Sequence, residues 1–405
     1  MKLIFVNRYF HPDLSATGQL LSDLAFRLAA RGREVHVVTS RQRYEDAVAR
    51  LPARESIEGV QVHRVWTSRF GRAWLPGRAL DYLSFYVFSG LCIAQLARRG
   101  DLVIAMTDPP LASFPAALSA RLRGARLVNW LQDVFPEVAE QLGLRVARGA
   151  FGILARALRD YSLRTAALNV VLGARMREVV ASLEPAAAQR ISVIHNWADG
   201  ETLRPLPPGD SPLRAQWGLQ GRFVVAYSGN MGRVHDFDTA LGACERLRTD
   251  MDVAFVFIGE GHQRLRLELE VRRRGLANVT FQPFQPREAL TVSLGAADAH
   301  LVSLQPALEG LVVPSKFYGI AAAGRPAIFI GDADGEIARM LREAHCGLVV
   351  AAGDAAGLAR AILALRDHPA QCREMGANAR AAFEARYDLP HAMNQWEAAL
   401  AQAAS

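Results

Sequence analysis

The chain has 405 residues, 51% of them apolar, and its 47 Lys and Arg against 40 Asp and Glu give a formal net charge of +7. That much apolar content excludes a disordered chain, and the length exceeds one ordinary α/β domain, so two domains are expected. The basic excess is nearly all arginine, scattered through helical stretches rather than massed in a tail; by composition it suits nucleic acid, anionic phosphates or a membrane surface equally, and the motifs below lead to no nucleic-acid partner being expected.

The opening run KLIFVN (2–7) is too short for the apolar region of a signal peptide and reads as a buried first strand. A loop containing His11, Pro12 and Gly18 follows, then an apolar-periodic helix over 19–30 and the run EVHVVTS, which makes a βαβ opening. Further runs at 60–65, 102–106, 126–131 and 168–172 alternate with helical segments and predict a parallel sheet covered on both faces. Residues 73–97, with Trp74, Leu75, Leu80, Leu83, Phe88 and Leu91, are the most lipid-like stretch. Asp81 and Arg98 bracket only about 15 residues of it, short of the roughly 20 that cross a bilayer. A buried helix or an interfacial amphipathic face is therefore expected.

The stretch ETLRPLPPGDSP can hold neither a helix nor a central strand and reads as a linker region. The alternation then restarts with FVVAYSG, DVAFVFIG, NVTFQPF, AHLVSL, PAIFIG and GLVVAAG. These runs set residues 1–195 as one Rossmann-like domain, 196–380 as a second, and 381–405 as terminal helices packing back on the first, where Phe383, Tyr387 and Trp396 need a surface to cover. Cys92, Cys244, Cys346 and Cys372 lie far apart, with no CxxC pair and no His at zinc-ligand spacing, the pattern of a reducing cytoplasm and no structural metal.

In open α/β sheets, ligands collect beyond the carboxyl ends of strands, where helix N-termini present unpaired N–H groups to anions. The most informative segment there is 309–326, EGLVVPSKFYGIAAAGRP. Glu309 and Gly310 follow a strand, Pro314 suits a first helical turn, Ser315 suits a cap, and Lys316 places a cation at the positive end of a helix, which favours a bound anion. These features describe a diphosphate seat.

The segment resembles the donor-binding signature of retaining glycosyltransferases of family four, in particular the bacterial branch acting in lipopolysaccharide and exopolysaccharide synthesis. Supporting strings are Asp133-Val-Phe-Pro-Glu137, His195-Asn196, Ser228-Gly229-Asn230 and Ile258-Gly259-Glu260-Gly261. The resemblance implies a GT-B fold of two Rossmann-like domains facing a cleft, and transfer of a sugar from a nucleoside diphosphate sugar to a saccharide or polyprenyl-diphosphate-linked acceptor. It also implies retention, no metal or other cofactor, and a cytoplasmic protein in peripheral contact with the inner membrane. The donor would be held by Gly18, Gly229, Asn230, Arg233, Phe284, Glu309, Gly310, Pro314, Ser315 and Lys316. Arg233 and Lys316 would form a cationic pair on the departing diphosphate, Glu309 would orient the donor, and Asp133 would assist the acceptor or else cap the helix begun by Pro136.

The chain departs from that pattern at three places. Gly229 is followed by Asn230 and then Arg233 and His235, where many members show Gly-Arg and a following Lys for the diphosphate. Phe317, Tyr318 and Gly319 stand where the family usually carries a second Glu for the ribose, and Gln132 stands where relatives place a His before Asp133. The strings Asp236-Phe-Asp238 and Asp332-Ala-Asp334 offer carboxylates to a metal, but a cationic pair would already neutralise the diphosphate. An NAD-dependent enzyme lacks its GxGxxG, since Gly229-Asn-Met-Gly232 has no third glycine. A non-catalytic nucleotide-sugar-binding protein of the same fold is the remaining alternative.

Overall fold

Residues Val253–Ile258 read VAFVFI and all are buried, the pattern of a strand with helices on both faces of its sheet. The run Leu102–Met106 behaves in the same way. The computed structural model describes residues 1–13, 15–43, 50–71, 75–144, 147 and 149–405. It comprises two units, Met1–His195 with Met393–Ser405, and Asn196–Ala392.

In the first unit the strands are β1 (Lys2–Val6), β2 (Glu34–Ser40), β3 (Arg54–Ile57), β4 (Val60–Val65), β5 (Leu102–Met106), β6 (Arg126–Trp130), β7 (Leu168–Val171) and β8 (Ile191–Val193). They form one sheet in the order β3-β4-β2-β1-β5-β6-β7-β8. Only β3 runs antiparallel to its neighbour. The core on one face joins Ile4, Val6 and Val103 of the central strands to Phe85 and Ile93 of the helix Leu75–Leu96. Ala73 and Trp74 of the lipid-like stretch lie outside the described residues.

The second unit carries β9 (Phe223–Ser228), β10 (Val253–Ile258), β11 (Val279–Gln282), β12 (Ala299–Ser303), β13 (Ala327–Gly331) and β14 (Gly347–Ala351). All pair in parallel, in the order β11-β10-β9-β12-β13-β14. The chain winds outward from β9 in both directions, so the direction of winding reverses between β9 and β12. In doubly wound sheets this reversal opens a crevice at the carboxyl ends of the two strands.

Two strands escape the sequence pattern. Strand β3, RESI, is an edge strand with no buried residue, and β8 has three residues, so neither makes an apolar run. The terminal return to the first unit begins at Met393. The expected start at 381 falls inside the helix Pro369–Arg386, which stays with the second unit because Phe383 and Tyr387 are buried there; Tyr387 packs against Phe317 and Tyr318. Trp396 does turn to the first unit, edge-on to Trp130 with ring centroids 4.7 Å apart and both rings fully buried. Trp396→Ala should cost the first unit about 3–5 kcal/mol. Denaturant unfolding should show this as an earlier transition for that unit, with the second unit's transition in place.

Candidate functional site

The reversal between β9 and β12 brings together the loops that leave those strands. Gln305, just past β12, donates its backbone N–H to Val234 O (2.9 Å) and its side-chain Nε2–H to Arg233 O (2.7 Å), which ties the two loops together. The loop after β10 joins them through Gly229 N to Ile258 O (2.9 Å), Met231 N to Glu260 O (2.7 Å) and Gln263 N to Met231 O (3.0 Å). This approach needs glycine. A Cβ on Gly259 would lie 2.3 Å from Gly229 O, and one on Gly261 would lie 2.6 Å from Met231 N. Both residues also have left-handed φ, 126° and 144°, where only glycine is unstrained.

Lys316 opens the short helix Lys316–Ala322 and reaches back to the β9 loop. Its Nζ donates to Nε2 of His235 at 3.1 Å and stands 4.8 Å over the ring of Tyr227, while its Cε lies 3.4 Å from where a Cβ on Gly229 would be. The residue is half-buried but its ammonium is enclosed, and burial lowers its pKa to about 7. His235 is buried, and desolvation followed by the Lys316 charge pushes its pKa well below the usual value. The ring is therefore neutral. Nδ1–H donates to Ser303 O at 2.6 Å, which leaves Nε2 as the acceptor for Lys316. Among the described residues no carboxylate pairs with Lys316. An enclosed cation met only by neutral groups suits an incoming anion.

The other expected donor residues divide. Gly310 has φ 75°, so Glu309-Gly310 makes a tight turn after β12. Glu309 Oε1 accepts the N–H of Glu336 (2.8 Å), capping the helix Glu336–Glu343, and burial raises its carboxyl pKa against the help of that bond. Phe284 is 46% exposed, with its ring edge beside the Gly259 backbone. Asn230 and Arg233 are both exposed in the β9 loop, with Asn230 O accepting from Tyr227 Oη at 2.8 Å.

In the first unit, Asp133 follows β6. Burial raises its pKa to about 6, opposed by a hydrogen bond from Thr107, and its Oδ1 is buried with no partner among the described residues. The helix Glu137–Gln141 has Pro136 at its N-cap position, which makes no side-chain cap bond. Asp133 lines a small cavity with Thr107, Asn129, Ser162 and Arg159.

Residues 16–197 match the family Glycosyl transferase 4-like domain, and residues 211–382 match Glycosyl transferases group 1. The chain is 30% identical over 356 residues, 84% of its length and 86% of the relative's, to WcaI of Escherichia coli K12, a glycosyl transferase assigned to colanic acid biosynthesis. It belongs to the group 1 glycosyl transferases. Identity to the glycosyltransferase WbjE of Pseudomonas aeruginosa is 29%, over 67% of each chain. Among solved structures, sucrose-phosphate synthase of Thermosynechococcus elongatus superposes with a TM-score of 0.78 at 18% identity, covering 99% of this chain and 98% of that one. HepE of Anabaena, solved with UDP-glucose, gives 0.74 at 18% identity over 99% of both chains. The fold of this glycosyltransferase is GT-B.

Two local expectations for the glycosyltransferase need correction. Gly18 is not a loop residue: the helix Ala16–Ala30 begins before it, and it lies in the first turn, where a Cβ would meet Ser15 Oγ at 2.7 Å and Tyr9 O at 3.5 Å. Pro314 stands outside the helix that Lys316 opens, and Ser315 holds the cap position without a side-chain cap bond. Among the described residues no group of three His, Cys, Asp or Glu side chains is placed to hold a metal ion, and the carboxylates of the two DxD strings have local partners. Asp236 binds the N–H and hydroxyl of Thr239, Asp238 pairs with Arg266, Asp332 accepts from Asp334 N, and Asp334 pairs with Arg339.

The sequence gives no functional signal at Tyr227 and only a weak one at His235. Tyr227 ends a buried strand and is indistinguishable there from core, and His235 was visible only as a neighbour of Arg233. Glu309→Ala should leave the N–H of Glu336 unsatisfied and cost about 1–3 kcal/mol. Glu309→Gln, which keeps an acceptor, should cost less, and thermal unfolding of both variants measures the difference.

Proposed function

We propose that this glycosyltransferase moves a sugar from a nucleoside diphosphate sugar to a saccharide acceptor carried on a polyprenyl diphosphate. The setting is synthesis of a cell-surface polysaccharide at the cytoplasmic face of the inner membrane. The observation that carries the donor reading is the enclosed Lys316 ammonium, held by neutral groups at the reversal point of the second sheet. The polysaccharide setting is supported by the likeness to WcaI. Retention and a saccharide acceptor follow the family resemblance of segment 309–326.

Transfer breaks the bond from the anomeric carbon to the diphosphate oxygen and forms one to an acceptor oxygen, whose proton passes to the departing diphosphate. Negative charge grows on the departing diphosphate. Lys316 meets it with a preorganised positive charge, and Arg233 adds a second from the exposed loop. Glu309, fixed by the N–H of Glu336, orients donor hydroxyl groups. Asp133, with its raised pKa, accepts a hydrogen bond from the acceptor hydroxyl. Because the two cations meet the diphosphate, no metal is required.

A thermal-shift titration against UDP, GDP, ADP and CMP, without and with Mg2+, tests the seat. One nucleoside diphosphate at about 100 times its Kd should stabilise the chain by roughly 2.7 kcal/mol. The gain should be independent of Mg2+ and lost in Lys316→Ala. Stabilisation by none of them would refute the donor reading, and stabilisation without transfer to any saccharide acceptor would favour a binding protein.

The pH dependence has a definite sign. Lys316 titrates at about 7 in the free chain, and a bound diphosphate raises that value. Near pH 8 the free side chain is mostly neutral and the bound one charged, so binding takes up a proton. Affinity should fall by up to about tenfold per pH unit above 7. Calorimetry in two buffers of different ionisation enthalpy reads the uptake directly, and Lys316→Ala should abolish it.

A further inference from the structure

The helix Leu75–Leu96 carries large apolar side chains on both its sheet-facing and its outward stripes, yet only 22% of its most apolar window is buried. One stripe, Asp81, Phe85, Ser89 and Ile93 at four-residue spacing, faces the sheet and is fully buried. The opposite stripe is 45–57% exposed at Leu80, Leu83, Val87 and Leu91. A helix hydrophobic on both sides is covered on both sides in its working state.

The helix does not leave the sheet to span a bilayer. Asp81 Oδ1 accepts from Ser68 Oγ (2.6 Å) and Phe70 N (3.1 Å), its Oδ2 accepts from Gly71 N (3.0 Å), and it stands 3.9 Å from the Arg8 guanidinium. Releasing that carboxylate into lipid would leave four partners unsatisfied. The outer stripe is therefore presented sideways.

Its neighbours extend the same surface. Ser119 of the helix Ser113–Arg123 donates to Gly90 O at 2.9 Å, and that helix exposes Leu118 and Leu122. Tyr161 of the helix Ala150–Thr165 meets Phe114 edge-on at 5.8 Å, and that helix exposes Phe151, Ile153 and Leu154. At the other margin Trp66, 54% exposed, packs edge-on against Phe88.

The charge pattern identifies the occupant. The three helices contain two carboxylates, Asp81, which is buried, and Asp160, which pairs with Arg159 at 2.7 Å. Exposed arginines border the apolar surface: Arg69 and Arg78 near the start of the first helix, Arg98 and Arg99 just past its end, and Arg121 and Arg123 on the second. A second copy of the chain would set arginine against arginine across a twofold interface. An anionic headgroup layer satisfies the arginines while its acyl boundary takes the leucines.

We propose that the outer face of these three helices docks the glycosyltransferase on an anionic lipid bilayer, with the helices lying in the interface rather than crossing it. The proposal gives a surface to the membrane contact of the function proposed above. It does not depend on the donor chemistry.

Flotation of the full chain with vesicles tests it. The chain should float with phosphatidylcholine vesicles containing phosphatidylglycerol, float less with pure phosphatidylcholine, and dissociate as salt is raised. The triple variant Leu83→Gln, Val87→Gln, Leu91→Gln should lose at least about tenfold in bound fraction, with its unfolding transition and its nucleotide-induced shift unchanged. Arg98→Glu with Arg99→Glu should remove the preference for anionic lipid by a separate route. Equal binding by the triple variant, no flotation of the native chain, or a concentration-dependent dimer abolished by the triple variant would each overturn the assignment. A nucleotide shift without flotation sinks only this surface, and flotation without a nucleotide shift sinks only the donor reading.

Discussion

An ammonium enclosed without a carboxylate partner among the described residues is the constraint around which the loops after β9 and β12 are organised. Removing a cation from water costs several kcal/mol unless neutral dipoles or an opposite charge replace the lost hydration. Here the replacements are neutral: the face of Tyr227, the lone pair of His235 Nε2 and the bare backbone at Gly229. Each has its own requirement. His235 serves as an acceptor only while its Nδ1–H is committed to Ser303 O, and Gly229 leaves space for the Lys316 stem only because it lacks a Cβ. An imidazolium at that point would repel the lysine, and burial keeps the imidazole neutral.

The sheet supplies the geometry for this arrangement. Outward winding from β9 leaves a gap at the carboxyl ends of β9 and β12 that no crossover helix covers, and the loops leaving both strands fall into it. Loop-to-loop hydrogen bonds through Gln305, Met231 and Gly229 hold them as one body. The glycines at 259 and 261 let the backbones approach closely enough for those bonds to form. A rigid frame of backbone dipoles around one cation is an arrangement whose reorganisation is complete before an anion arrives.

The first unit solves a different problem. Its crossover helix must cover the sheet, and residues at four-residue spacing do so with the buried Phe85 and Ile93. Covering the sheet would permit a polar outer face, yet the outer face is leucine and valine, and the adjacent helices continue it. The Asp81 network fixes the helix to the sheet, which separates a surface element from a spanning one.

Much of the fold was legible in the residues because continuous apolar runs such as VAFVFI and LVIAM can be stable only between two covering layers. The strands with such runs were found, and those without them, RESI at an edge and the short ISV, were not. Composition likewise marked Lys316 as a cation beside a helix start and Glu309-Gly310 as a turn. Sequence alone therefore determined the alternation of strands and helices, the Glu309-Gly310 turn and the apolar character of residues 75–96, because these depend on local chemistry and spacing. Tertiary structure decided that Lys316 leans on His235 and Tyr227, some 80 to 90 residues earlier in the chain. It also decided that Glu309 caps a distant helix and that the apolar helix buries one stripe and exposes the other. Those outcomes depend on which strands become neighbours, and strand order is settled by the packing of the whole sheet rather than by any residue within a run.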